Sequence, residues 1–424
     1  MNIGVAIGRI GGVDGVALET EKWIEVFKRM GHTVFLISGE FQNWKINPER
    51  DTCVKQMSFF DPSCMWDQEN AFFEPDDDPV DLLYHIDNYS NIIEARLLGW
   101  IEQNKIDILL SENASALPAH LSMGLAIKKV VTETGIRTIT HDHDFAWERG
   151  QRYVSPHKEI NDFIAKTFPL RETNVVNAVI NTNAKEDLMK KFGQDSVVVP
   201  NVMDFDKSFG VKNTTNGGLR NELGLDKEDI LLFQITRIVR RKGIETAIQL
   251  VEKLQDKRIK LIITGSNADD EGSIYYNELN ELIKQLKLED QVVFAAHVIN
   301  HKGELGGLGN TYSLSDAYAN ANSTTYFSTY EGFGNAFVES VLAKTPIFVN
   351  NYKPVYMPDI GSKGFKTVMI NDGVLTDESV KNMAEIIYNP QLNKEIAEYN
   401  WQLGKKYFSY DTLQEKLEEI INKF

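Results

Sequence analysis

Two glutamates with seven residues between them, Glu331 and Glu339, stand in the run TYEGFGNAFVESVLAK at 329–344. They bracket a turn containing Gly332 and Gly334, which leads straight into an apolar helical pattern. Glycine lets the backbone bend tightly and approach a ligand closely. The amides of Asn335, Ala336 and Phe337 then open a helix N-terminus, a setting that favours phosphate. Glu339, a turn further on, has the chemistry to accept hydrogen bonds from a sugar diol. Amide donors for phosphate beside acceptors for hydroxyls suit a nucleotide sugar. The same spacing alone also fits an ordinary loop-to-helix turn with two solvated glutamates, so its neighbours decide.

Those neighbours carry the matching charge. In FQITRIVRRKGIETAIQLVEKL, Arg237 follows an apolar strand pattern and Lys242 precedes a helical one. Both belong at the carboxyl edge of a sheet, where open α/β folds bind ligands. Two cations and a helix N-terminus suit a diphosphate, each charge-assisted hydrogen bond contributing roughly 1.5–3 kcal/mol. Arg240 and Arg241 read as an exposed basic turn. Near the start, IGRIGGVDGVALET offers Gly8, Gly11, Gly12 and Gly15 as a second glycine-rich turn into a helix. It lacks the strict G-x-G-x-x-G spacing, so the nicotinamide-dinucleotide fingerprint is not met. In IRTITHDHDFAWERGQRY, His141, Asp142, His143 and Asp144 leave a buried strand, followed by Arg149 and Arg152. Metal ligation would want a further Cys or His partner; sugar-hydroxyl recognition and acid–base work suit the run better.

The elements that must position these residues alternate along the chain. Short apolar runs predict strands at Ile3–Ile7, Thr33–Ile37, Asp107–Leu110, Arg137–Thr140, Asn177–Thr182 and Val197–Pro200. Helices fit at Gly15–Met30, Pro79–Gln103 and Leu117–Glu133, which together spell a parallel α/β sheet. The stretch from Phe41 to Pro79, including FFEPDDDP, reads as an irregular surface excursion. A second series follows the Asn216-Gly217-Gly218 patch: Ile230–Thr236, Lys260–Thr264, Gln291–Ala295, Thr325–Ser328 and Pro346–Asn350. The tail is an amphipathic helix presenting Leu413, Leu417, Ile420 and Ile421.

Composition narrows the function classes. With 424 residues, two domains of ordinary size are expected. A formal net charge of −16, from 45 basic and 61 acidic residues, argues against general nucleic-acid binding and against anionic lipid. It favours a water-soluble acceptor. Two cysteines, Cys53 and Cys64, make neither a disulfide framework nor a zinc site, so a cytoplasmic setting is the expectation. No apolar stretch is long enough for a bilayer, and the opening MNIGVAIGRIGG does not read as a signal peptide.

Taken in order, the GGVDG turn, the HD strand end, VPN, Arg237 with Lys242-Gly243, the ITG strand, YEGFGNAFVESVLAKTPIFV and the closing helix resemble a retaining nucleotide-sugar glycosyltransferase of family 4. The resemblance spans nearly the whole chain. It implies a GT-B fold: two Rossmann-like α/β domains with parallel sheets facing across a cleft, 1–202 joined by a returning helix at 405–424, and 203–404. It implies transfer of a hexosyl unit from a UDP-, GDP- or ADP-type sugar to an acceptor hydroxyl, with retention, no cofactor and no essential metal. Arg237 and Lys242 would hold the diphosphate, Glu339 the ribose, and Glu331 would lie against the donor sugar. Backbone at Gly334, Asn335, Ala336 and Phe337 would contact sugar and phosphate, and Gly12 would approach the phosphates. The strand-end histidine fits in two registers, His141 or His143, and His141 is the one adopted. The loop after it is more charged and aromatic than the family's usual one, which directs Asp142, His143, Asp144, Arg149 and Arg152 to the acceptor. A GT-B-like epimerase, a phosphorylase or a non-catalytic nucleotide-sugar sensor are the alternatives.

Overall fold

The computed structural model describes residues 1–75, 78–214, 216–266, 270–299 and 311–424. The chain divides into two compact units, Met1–Val202 with Tyr410–Phe424, and Met203–Ser409.

The first unit is a seven-stranded sheet: β1 (Asn2–Gly11), β2 (Thr33–Gln42), β3 (Asp51–Cys53), β4 (Ile108–Glu112), β5 (Arg137–Asp142), β6 (Val175–Val179) and β7 (Ser196–Val198). Every pairing is parallel, in the order β3-β2-β1-β4-β5-β6-β7. Both faces are covered, which is why these strands read as nearly continuous apolar runs. On one face Ile3, Val5 and Ile7 pack with Trp23 and Phe27 of the helix Gly15–Arg29. On the other, Ala6 and Leu109 pack with Ile93, Leu97 and Trp100 of the helix Pro79–Asn104. That helix starts where the sequence dictates, with Pro79 in its first turn and Asp78 accepting from the Val80 amide at 2.8 Å.

The second unit holds β8 (Ile230–Gln234), β9 (Ile259–Ile263), β10 (Val292–Phe294), β11 (Ser323–Tyr326), β12 (Ile347–Asn350) and β13 (Val368–Ile370). Its order is β10-β9-β8-β11-β12-β13, again parallel throughout. In each sheet the strand order reverses once, beside β1 and β4 in the first and beside β8 and β11 in the second. Such a reversal opens a crevice at the carboxyl ends of the strands.

The departures from the sequence expectation have local causes. β3 and β13 are three-residue edge strands without a periodic signature of their own. β3 and the short helix Pro62–Gln68 also give structure to part of the expected irregular excursion, while Asp76 and Asp77 of FFEPDDDP lie outside the described residues. The strand expected at Asn177–Thr182 lies at Val175–Val179, because Asn181 instead caps the next helix by accepting from the Ala184 amide at 2.8 Å. The tail breaks at Ser409. Pro390–Phe408 is one helix, and Tyr410–Ile421 is another that packs Leu413, Leu417 and Ile420 into the first unit's core. Among the described residues no helix is long and apolar enough to cross a membrane.

Leu417 is fully buried. Leu417→Ala should therefore lower unfolding free energy by about 2–5 kcal/mol, the usual cost of such a cavity. A urea titration following the first unit checks this; a loss under about 1 kcal/mol would mean the helix contributes little to that core.

Candidate active site

In the second unit, three loops leave β8, β9 and β11 side by side and are fastened together. Gly243 has φ +59, and a Cβ there would sit 2.2 Å from the Phe327 carbonyl oxygen, so only glycine fits. The Thr329 amide donates to the Arg241 carbonyl at 2.7 Å, closing the β8 loop onto the β11 loop. Gly265 lets the β9 loop approach so closely that a Cβ would lie 1.9 Å from the Thr236 oxygen. The Ile238 amide then donates to the Ser266 carbonyl at 3.2 Å.

This fastening brings two of the expected residues, Lys242 and Glu331, together with one that was set aside, Arg241. Lys242 Nζ lies 2.5 Å from Glu331 Oε1, and Arg241 Nη1 lies 3.0 Å from Glu331 Oε2. Arg241, expected to be an exposed basic residue, also donates to the Tyr330 carbonyl at 2.9 Å. Arg240 does behave as expected and makes an exposed pair with Glu278 at 2.5 Å. Lys242 and Glu331 are both buried. Burial by itself would raise the Glu331 carboxyl, but Lys242 and Arg241 override it and hold it below the ordinary value. Burial pulls the Lys242 ammonium down, with Arg241 and Arg237 acting the same way and Glu331 opposing them. Arg237 is exposed and forms no ion pair among the described residues. Two cations on one carboxylate, with Arg237 close enough to act on Lys242, leave a surplus of positive charge at the reversal of strand order, which suits a diphosphate.

The helix Asn335–Leu342 opens beside this cluster. Gly334 has φ +133, and a Cβ there would meet the Tyr352 hydroxyl at 2.2 Å. Tyr352 in turn donates to the Phe333 carbonyl at 2.9 Å, fixing the turn. Of the three amides expected at this N-terminus, that of Phe337 is already engaged, donating to the Gly334 carbonyl at 3.0 Å. Asn335 and Ala336 are half-buried in the opening turn. Glu339 is half-buried on the same helix and accepts from the Tyr318 hydroxyl at 3.1 Å. Tyr318 and Tyr352 escape sequence reasoning because their part is played by hydroxyls reaching from distant elements.

In the first unit, Gly11 and Gly12 both have positive φ, +79 and +75, and the Gly12 amide donates to the Gln42 carbonyl at 3.0 Å. The HDHD run is split by strand parity, since successive side chains point to opposite faces. Asp142 turns inward, accepting from Thr140 at 2.7 Å and Asn177 at 3.2 Å, and burial pushes its carboxyl up to about 7. That is an internal tie, remote from the two histidines in direction. Asp144 pairs with Arg149. Arg152 is exposed, its guanidinium 5.7 Å from the Phe73 ring centre and 5.5 Å from that of Tyr153.

His141 and His143 converge on Glu112, a residue the sequence reading passed over. Nothing in LLSENAS distinguishes it; only the β4–β5 register, which sets Glu112 opposite His141, brings it there. His143 Nε2 is 2.9 Å from Glu112 Oε1. His141 Nδ1 is 2.7 Å from the same oxygen, but off the line of a good hydrogen bond. His141 is fully buried and stacks on Trp23, ring centres 4.0 Å apart, whereas the His143 side chain keeps 9% of its surface exposed. Burial would lower the His143 ring, yet Glu112 overrides it and raises it; burial prevails at His141 and lowers that ring. Burial alone would raise Glu112, and the two histidines hold it below its ordinary value. The ligand atoms of Glu112, His141 and His143 lie within 4.8 Å of one another, so these residues are the ones that could receive a metal ion among those described. Their N–O separations are equally those of a charge-paired hydrogen-bond cluster.

The family model described as glycosyl transferases group 1 matches residues 218–402. The mannosylglucosylglycerate synthase of Petrotoga mobilis is 31% identical, over 96% of this chain and 98% of that protein. The chain belongs to this glycosyltransferase family. A mannosylglucosylglycerate synthase of Thermotoga maritima is 30% identical over 100% of this chain and 99% of its own length. Among solved structures, a glycosyltransferase from Rickettsia africae superposes with TM-score 0.67 at 16% identity, covering 99% of this chain and 98% of that one, which bears on fold alone. The group 1 glycosyltransferase described here is thus a family 4 enzyme of GT-B fold, a retaining hexosyltransferase that uses a nucleotide-sugar donor.

The buried pair gives a test. Lys242→Met leaves Glu331 with Arg241 alone and should lower kcat by about 10²–10³ at saturating donor, the usual cost of one lost charge-stabilising donor. Glu331 is more acidic folded than unfolded, so its stabilisation is present above its ordinary value of 4.5 and lost as pH falls through the lowered folded value. In Lys242→Met that acid limb of the stability curve should flatten. Wild-type turnover in the variant would remove Lys242 from catalysis.

Proposed function

We propose that this enzyme transfers a hexosyl unit to a hydroxyl of a small, soluble, negatively charged acceptor of the glycosylglycerate kind, in the cytoplasm. Both full-length relatives are named as synthases of mannosylglucosylglycerate, whose glycerate end is a carboxylic acid. The observation that carries the reading is Arg152. In a chain of net charge −16, it is an exposed cation packed against two aromatic rings and without an ion pair among the described residues. Arg149, three residues earlier, is already occupied by Asp144. Arg152 would bind the acceptor carboxylate. A free thiol at exposed Cys53 and another at buried Cys64 agree with a reducing compartment.

On the donor side, Arg237 and Lys242 would grip the diphosphate, Glu339 the ribose hydroxyls, and Glu331 would lie against the donor sugar while orienting Lys242 and Arg241. Gly334, Asn335 and Ala336 would bring backbone to sugar and phosphate, and Gly12 would approach from its own glycine turn. As the bond from the anomeric carbon to the diphosphate oxygen breaks, negative charge collects on the leaving group. The cation surplus stabilises that charge more in the transition state than before it. The acceptor oxygen takes the anomeric carbon on the face the diphosphate leaves, and its proton departs with the nucleoside diphosphate. His143, the less buried of the two strand-end histidines, is the ring that would meet substrate, in place of the enclosed His141.

Incubation with GDP-, UDP- and ADP-hexoses and glucosylglycerate, followed by NMR of the product, tests the reaction. A new glycosidic bond of the donor's own anomeric configuration is expected. Sugar isomerisation without acceptor would indicate an epimerase instead. Arg152→Ala should raise KM for the carboxylate acceptor at least about tenfold, the worth of one charge-assisted hydrogen bond, and leave KM for its methyl ester nearly unchanged. Equal effects on both would disprove the carboxylate contact. Turnover should also survive excess chelator, whereas loss restored by a divalent ion would overturn the metal-free reading.

A further inference from the structure

We infer that Glu112 and Asn113, at the carboxyl end of β4, are positioning residues that hold His143 in the orientation in which it meets substrate. The inference rests on the reading of His143 above and adds to it the device that aims the ring. Glu112 has no exposed side-chain surface, and one of its oxygens receives His143 Nε2 at 2.9 Å. With Nε2 anchored inward, the other ring nitrogen, Nδ1, is turned away from Glu112. The ring therefore has one defined outward edge.

Asn113 fixes the backbone that carries the ring. Its φ of +48 lies in the left-handed region that asparagine tolerates better than most residues. That turn lets it make three hydrogen bonds to the β5 exit. Its amide donates to the His141 carbonyl at 2.9 Å, its Oδ1 accepts from the His143 amide at 3.1 Å, and its Nδ2 donates to Asp144 Oδ1 at 3.3 Å. The main chain is thus held at the His141 carbonyl and the His143 amide, and the Asp144 side chain is tied to the same asparagine. Behind the ring, His141 fills the space toward Trp23, with ring centres 4.2 Å from His143 and 4.0 Å from Trp23. His143 is braced on that side and its side chain is anchored on another.

A histidine that served only to fill space would need none of this. Holding a reacting or binding group within a narrow range of orientation is what supporting hydrogen bonds supply at active sites. Of the other charged groups around the cluster, Glu19 is engaged by Lys22 at 2.7 Å and by the Val202 amide at 3.1 Å, and Asp144 by Arg149. The anchoring thus falls to Glu112.

The test is a set of variants assayed with saturating nucleotide sugar and acceptor, alongside thermal melts. Glu112→Ala should lower kcat by about 10–100-fold, the usual range for a supporting-shell contact, while KM for either substrate stays within about threefold. Glu112→Gln keeps the size and an acceptor oxygen for Nε2–H, so it should recover most of the lost turnover. That arm decides the matter even if the alanine variant folds poorly. His143→Ala should cost at least as much, and Glu112→Ala combined with His143→Ala should be no worse than His143→Ala alone. Additive losses, or Glu112→Gln no better than Glu112→Ala, would overturn the positioning role. If His143→Ala turns over normally, the reading of His143 falls first and this inference with it. If His143→Ala is slow while Glu112→Ala is not, only the inference falls. Stoichiometric metal found by mass spectrometry in the purified enzyme and lost from Glu112→Ala would likewise overturn it, assigning the cluster to an ion.

Discussion

A single buried carboxylate, Glu331, organises the strand-end loops of the second unit. It lies 2.5 Å from Lys242 and 3.0 Å from Arg241, and the loops carrying these residues are fastened by the Thr329–Arg241 backbone bond at the same place. Such a cluster does little for net stability. Attraction at these distances is about 6 kcal/mol per pair at an effective dielectric of 20, yet desolvation costs several kcal/mol for each ion. What the cluster provides is geometry that is expensive to break, because removing one partner leaves a buried charge uncompensated. The surplus cation, Arg237, then sits exposed beside a turn that cannot drift.

The two units use one architectural solution for different chemistry. Each is a parallel sheet whose strand order reverses once, and in each glycines at the carboxyl ends of strands let neighbouring chain come close. Gly11 and Gly12 press against Gln42 in the first, and Gly243 and Gly265 against the neighbouring loops in the second. The fold supplies the place, and residues at the strand ends and in the loops after them supply the chemistry. In the second unit Lys242 and Arg241 gather on Glu331; in the first His141 and His143 gather on Glu112.

How far the sequence reveals this depends on whether an interaction is local. Strands such as ILLFQ and the IGVAI core of β1 are legible because both faces of a parallel sheet are buried, and helix starts are legible through caps such as Asp14 and Asp78. Edge strands β3 and β13 carry three residues each and no such pattern. At the site, Arg237, Lys242, Glu331 and Gly334 are visible because type and spacing on loops point to one chemistry. Glu112 is invisible because its partners are set by the β4–β5 register, some thirty residues of chain away, as its hydrogen bond with His143 illustrates. Asp142 is a different case. Period-two alternation, available from the sequence itself, separates it from the histidines that flank it.

The pair Glu331 and Glu339 shows why a motif underdetermines roles. As letters they are equivalent acids with a glycine turn between them. Folding places the first between Lys242 and Arg241, so its charge is answered within the protein. The second stays half-buried on a helix face and accepts from the Tyr318 hydroxyl. One carboxylate is therefore held between two cations, and the other meets a neutral hydroxyl. Neither has the environment of an acid paired with a base across a sugar ring, the arrangement a glycosidase needs. What surrounds Glu331 is fixed by the loops after β8 and β11, which a motif read as letters does not show.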